Sequence, residues 1–158
     1  MCPSTAALNK ADIYTKPVIA FTRDLLMKQF ISAVALLVPD YDEAIAFYVD
    51  SLGFTLVEDT RMSETKRWVL VAPPGSNETR LLLAKADGEA ETQAIGNQTG
   101  GRVLLFLMTD DFKRDHSKMT SSGVTFLETP RKEIYGQVAV FQDPFGNKWD
   151  LIEPAASR

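Results

Sequence analysis

Cysteine is nearly absent from this chain. Cys2 is the only one in 158 residues, so no internal disulfide can form and a reducing compartment is expected. Histidine is as scarce, with His116 alone, which leaves little for imidazole-based metal binding. No apolar run approaches the roughly 20 residues that cross a bilayer, so no membrane partner is expected. Basic clusters are missing too: the formal net charge is −4, and Arg61, Lys66, Arg67, Arg80 and Lys85 are scattered. A nucleic-acid partner is therefore not expected, because phosphate binding needs a concentrated basic face. The N-terminus has no basic start followed by an apolar core, so no secretory signal is read and a cytoplasmic location is expected. Hydrophobic content of 45% and charged content of 24% are those of an ordinary globular protein, with length for one domain or two small halves sharing a core.

What the chain does have is an internal duplication. Asp40–Tyr41–Asp42 opens an amphipathic stretch ending at Leu52–Gly53, followed by Phe54–Thr55–Leu56–Val57–Glu58. Asp110–Asp111–Phe112 opens another ending at Ser122–Gly123, followed by Val124–Thr125–Phe126–Leu127–Glu128. The spacing is thirteen residues in each (53 − 40 and 123 − 110), an ungapped offset of 70. Apolar runs, Ala33–Val38 and Val103–Met108, precede the two aspartates. Two copies are too few for a repeat array, which needs about three; they imply a pseudo-twofold pair, with chemistry where the halves meet.

The elements follow from punctuation and period. Phe30–Val38 reads as a strand stopped by Pro39–Asp40. Ile45, Tyr48, Val49 and Leu52 give Tyr41–Leu52 one apolar helical face, capped by Asp40 or Asp42 and ended by Gly53. Strands are expected at Phe54–Asp59, Arg67–Ala72 and Thr79–Lys85, with a Pro73–Pro74–Gly75 turn between the last two. Residues 86–101 read as a polar connection. The second half repeats the order: strand Val103–Met108, helix Asp111–Ser122, strand Val124–Glu128, then strands near Gln137–Gln142 and Lys148–Glu153. Asp143–Pro144–Phe145–Gly146–Asn147 makes the last turn. The fold class expected is α+β, two βαβββ modules with eight strands. Residues 1–27 are expected to form an N-terminal extension, either a partly ordered tail or, through Lys16–Phe21, an added strand; Met27 is read as a candidate alternative translation start. The domain proper spans 28–156, with module one at 28–85, the linker at 86–101 and module two at 102–154.

These residues resemble the vicinal-oxygen-chelate superfamily of glyoxalases, bleomycin-resistance proteins and extradiol dioxygenases. The resemblance rests on Val38–Pro39–Asp40–Tyr41–Asp42–Glu43–Ala44–Ile45–Ala46–Phe47–Tyr48, on Leu52–Gly53–Phe54 and on Asp143–Pro144–Phe145–Gly146–Asn147–Lys148–Trp149–Asp150–Leu151. It implies sheets curled into a cup, often completed in a homodimer. It also implies a divalent ion held by His, Glu or Gln from four strands, acting as a Lewis acid on vicinal oxygens. Carried over one at a time, those four positions fall on Ala33, Leu82, Leu104 and Asp150, and three of the four side chains cannot bind a metal. No metal or other cofactor is therefore expected.

What remains is a binding cup. Ala33, with Ala35 two residues on, leaves room on the first strand. Arg80, Leu82 and Ala84 are expected to share one face of their strand, and Lys148, Asp150 and Ile152 one face of theirs, which turns Trp149 and Leu151 toward a helix. Arg67, Trp68, Phe106 and Tyr135 are further lining candidates. Arg67 and Arg80 are read either as forks for an anionic ligand or as surface solubility. Asp150 is read as a lone acid–base or as a cup-facing carboxylate with a hydrogen-bond partner, and His116 as a solvated helix residue. The Gly96–Gly101 loop and the Tyr135–Gly136 segment are read as covers for the cup mouth or as plain connections.

Two functions stay open. One is a metal-independent, bleomycin-resistance-like protein that binds a small metabolite or drug, most simply as a homodimer. The other is a divergent lyase, dioxygenase or epimerase-like enzyme that uses Asp150. A regulatory or structural dimer with an occluded cup is a third possibility.

Overall fold

A computed structural model describes residues 29–156; the extension, with Lys16–Phe21 and Met27, lies outside them. From Ile31 onward the chain is one compact unit. Module one contains β1 (Ala33–Val38), α1 (Tyr41–Ile45), a π-helical continuation Ala46–Ser51, β2 (Thr55–Arg61), β3 (Arg67–Ala72) and β4 (Arg80–Lys85). After a short α2 (Glu89–Ala94), module two contains β5 (Val103–Met108), α3 (Phe112–Ser121), β6 (Thr125–Phe126), β7 (Arg131–Glu133), β8 (Gly136–Gln142) and β9 (Lys148–Pro154). The sheets run β1-β4-β3-β2 and β5-β9-β8-β6, with β7 also on β8. In each, the first strand pairs in parallel with the last and the other pairings are antiparallel. The architecture is the expected α+β pair of βαβββ modules with curled, unclosed sheets. Among the described residues no helix is long and apolar enough to cross a membrane.

Three details correct the sequence reading. The expected strand Val124–Glu128 is only two residues long, and a short strand, Arg131–Glu133, fills what read as loop, giving nine strands among the described residues. The linker is not wholly irregular, since Glu89–Ala94, rich in helix formers, closes a helix. The helices are also not in ungapped register. Asp40 caps α1 by accepting from the Asp42 and Glu43 N–H groups, but α3 is capped by Asp111, not Asp110. Cap and glycine are thus thirteen residues apart in module one and twelve in module two (123 − 111). The π turn absorbs the extra residue, with Leu52 N–H reaching back five residues to the Phe47 carbonyl at 2.9 Å.

The helix-side faces of both sheets share one core. Leu36 and Val38 of β1, Val69 and Val71 of β3, and Leu81 and Leu83 of β4 join Ala139, Phe141, Trp149 and Leu151 of module two. Tyr48, wholly buried in the π stretch, lies 5.9 Å from Trp149 by ring centroids, and Phe54 lies edge-on to Trp149 at 6.1 Å. Burying side chains of this size contributes about 1.5–3 kcal/mol each before entropy is counted. Polar bonds fasten the same junction. Tyr48 donates to Asp143 Oδ2 at 2.5 Å, Asn147 Nδ2 donates to the same oxygen at 2.7 Å, and the Phe145 and Asn147 N–H groups donate to Oδ1 at 3.0 and 2.9 Å. Burial, then the Asp143 charge, push the Tyr48 phenol well above its ordinary range. Trp149 and Leu151 are therefore core residues, as alternation on β9 required.

Two glycines make close approaches that a side chain would block. A Cβ at Gly96 would lie 2.0 Å from the Phe145 carbonyl oxygen, and one at Gly136 would lie 2.0 Å from that of Glu153, with φ at +73° and +151°. The first packs the linker against the β8–β9 turn; the second lets the β7–β8 hairpin fold tightly onto β9.

Candidate functional site

Strand register separates a core face from an open face on each sheet. On module one, Ala33 pairs with Arg80, Ala35 with Leu82, and Leu82 with Leu70. Trp68 is two residues before Leu70, so Ala33, Ala35, Arg80, Leu82, Leu70 and Trp68 share the face opposite the core. On module two, Lys148 pairs with Val103, Asp150 with Phe106 and Val140, and Ile152 with Met108 and Val138. Both open faces are apolar at the surface: Trp68 is 39% exposed, Phe106 63% and Met108 57%. Buried Leu70, Val138 and Ile152 lie on these faces, outside the shared core cluster.

The structure gathers most of the sequence-read residues into two sets, one per sheet. Ala33, Trp68, Arg80 and Leu82 belong to the module-one face, and Lys148 and Asp150 to the module-two face. Leu104 is half-buried at a break in register between Val103 and Leu105 and packs against the core cluster. Lys148 turns its ammonium to the Gly101 carbonyl at 3.1 Å. Arg67 is placed differently, on the opposite side of β3 from Trp68. Its NH1 meets Asp42 at 2.6 Å, its Nε meets Asp59 at 2.9 Å, and its guanidinium sits 5.2 Å from the Tyr41 ring centroid. That pairing raises the Arg67 pKa and lowers that of Asp59. Its planar fork is occupied by these partners, so it is not a free anion receptor.

Asp150 is the chemically conspicuous group. It is 8% exposed, and among the described residues its buried Oδ1 has no hydrogen-bond partner. Burial raises its pKa, and the positive charge of Arg131 partly opposes the rise. Arg131 was missed by the sequence reading, because it stands in what read as loop. Its pairing with Val138 sets it on the same face as Ile152. It lies against Glu128 and donates through Nε to Glu133 at 3.0 Å; Glu133, then the Tyr135 side chain, raise its pKa. Tyr135 thus joins this cluster from the tip of the hairpin, half exposed. On module one, Arg80 Nε is likewise buried without a partner.

The remaining candidates fall elsewhere. Gln98 fastens the Gly96–Gly101 loop along the edge of β1, accepting from Leu37 N–H at 2.8 Å and donating to the Ala35 carbonyl at 3.3 Å. His116 is not fully solvated: it is half-buried, with its ring 5.4 Å from Phe112 and 4.1 Å from Phe126 by centroids. A groove of about 840 Å3 runs between the Pro73–Pro74 turn and α3. Much of its charged rim is self-satisfied, since Arg114 pairs with Asp110 and Asp115 and Asp115 accepts from Thr109; Lys118 also lines it.

Among the described residues no three His, Cys, Asp or Glu side chains converge as a metal site, and a divalent ion needs several oxygen or nitrogen ligands. The carried-over positions offer Asp150 beside alanine and leucine.

Paired modules, a shared helix-side core and two open faces define a protein of curled, unclosed sheets. The chain belongs to the Glyoxalase/Bleomycin resistance protein/Dioxygenase superfamily, whose family model matches residues 30–151. An uncharacterized protein of Shewanella frigidimarina (strain NCIMB 400) is 56% identical over 128 residues, covering 80% of this chain and 95% of that protein. Among solved structures, UcmS2 is 30% identical with a TM-score of 0.70, covering 80% of this chain and 98% of that one. TnmS3, an antibiotic binding protein from Streptomyces sp. CB03234, is 29% identical with a TM-score of 0.65, covering 83% and 99%.

Proposed function

We propose that this chain is a small-molecule-binding member of the superfamily that works without a resident divalent ion. It holds an apolar metabolite or drug in a cup completed by a second copy. The observation that carries this reading is the composition of the open faces: large apolar side chains surround a few polar groups with unmet hydrogen bonds, as in ligand sites generally. The antibiotic-binding neighbour supports the same reading. A second copy is invoked because Trp68 on one open face and Phe106 and Met108 on the other stay exposed in a single chain.

Isothermal titration against a panel of antibiotic natural products, with and without prior chelation, tests this. The expected result is saturable binding with an unchanged Kd after chelation, no product formed, and a sedimentation mass of twice the chain. Binding lost on chelation and restored by a divalent ion would overturn the metal-independent part.

A second reading keeps Asp150 as a lone acid–base, favoured by its raised pKa in a cup position. It requires turnover of the bound molecule that falls about 10²–10⁴-fold in Asp150→Asn.

A further inference from the structure

We propose that Asp150 is the specificity-determining residue of the cup. It selects an uncharged, largely apolar molecule that donates a hydroxyl hydrogen bond to the carboxylate. The inference rests on the binding reading above and names the ligand chemistry of that same site.

Buried polar groups nearly always have partners, and one without a partner marks where something is absent. Asp150 Oδ1 is such a group. An ionised carboxylate only accepts hydrogen bonds, so its complement must be a donor. Among the described residues none donates to it. Its cross-strand neighbours on the open face are Phe106 and Val140. Arg131 pairs with Glu128 and Glu133, although its NH1 makes no hydrogen bond, and Lys148 donates to the Gly101 carbonyl.

The surroundings then select among donors. An anion would meet the Asp150 charge beside an apolar wall, where water screens it less than in bulk. A cation would give up its hydration to enter an apolar wall, a cost that can exceed its attraction to a single carboxylate. A hydroxyl meets neither objection, and its bond to a carboxylate is of the strong, charge-assisted kind. The half-exposed faces of Phe106 and Met108 receive the apolar body beside it.

The test uses four probes on one apolar frame: naphthol, naphthyl methyl ether, naphthoate and naphthylmethylammonium. Each is titrated into the full chain and into Asp150→Leu and Asp150→Asn, with circular dichroism to confirm folding. In the native protein naphthol is expected to bind about tenfold or more tighter than the ether, the scale of a hydrogen bond to a charged group. That preference should fall to about twofold or less in Asp150→Leu, where the lost bond is the only polar change. The Asp150 carboxyl carbon resonance should shift with naphthol and not with the ether. Equal binding of naphthol and ether, a preference that survives Asp150→Leu, or tighter binding of naphthoate or the ammonium probe overturns this assignment and leaves the binding reading standing. Failure of all four to bind the native protein defeats both.

Discussion

Asp143→Ala is expected to destabilise the protein by about 4 kcal/mol, lowering Tm by roughly 15 °C in a thermal melt. Four donors converge on this carboxylate: the Tyr48 hydroxyl, the Asn147 amide and the backbone N–H groups of Phe145 and Asn147. Asp143, Asn147 and Tyr48 are at most 3% exposed, so water does not replace the lost acceptor. Each stranded donor costs about 1–3 kcal/mol, and a sum beyond about 4–5 is exceptional for one substitution. Tyr48→Phe removes only one of the four bonds and keeps the ring packing, so its expected cost is nearer 1–2 kcal/mol. Because Tyr48 stands on the module-one helix and Asp143 in the last turn of module two, the pair measures the union of the modules. A double-mutant cycle between them should give a coupling above about 0.5 kcal/mol, the threshold that separates contacting from independent sites. A near-zero coupling would mean that the apolar contacts with Trp149 join the modules unaided.

How much of this was legible in the sequence differs from element to element. Most strand bounds were readable because turn residues stop them: Pro39–Asp40 after β1, Pro73–Pro74–Gly75 after β3, and Asp143–Pro144–Phe145–Gly146–Asn147 between β8 and β9. The alternation that set Lys148, Asp150 and Ile152 on one side and Trp149 and Leu151 on the other was readable because strand period is two. The π turn was not, since nothing local distinguishes Ala46–Ser51 from a straight helix. Its extra residue falls in the stretch where Tyr48 packs against Trp149. Arg67 and Arg131 exchanged significance for a related reason. Arg67 stood in a readable strand, but its side depends on Tyr41, Asp42 and Asp59, which are distant in sequence. Arg131 follows Pro130 in an apparent loop, and only pairing with β8 gives it a face. The missing partner of Asp150 lies beyond any sequence reading, because it is the sum of all neighbours that fail to reach it.

Asp150→Leu is expected to raise Tm at neutral pH by roughly 3–8 °C, a gain of about 1–2 kcal/mol. A buried, unpaired acceptor carries its desolvation cost with no bond in return, and replacing it by an apolar side chain of similar length removes that cost. The lower half of the usual range is chosen because the open face beyond Phe106 and Met108 leaves the group thinly covered. The pH dependence provides the sharper check. Burial raises the Asp150 pKa in the folded chain, with Arg131 opposing. The folded state therefore holds its proton more tightly than the unfolded state, and stability falls as pH rises through the folded value. The penalty is full above that value and vanishes below the unfolded one of about 3.9. The advantage of Asp150→Leu should accordingly be largest near neutral and alkaline pH and shrink as the solution is acidified, with Asp150→Asn following the same slope. Melts of the three proteins across that range decide the matter. A flat difference would mean that Asp150 already finds a partner in the free protein. A shrinking one would identify a group held at a cost to stability whose compensation arrives with the bound molecule.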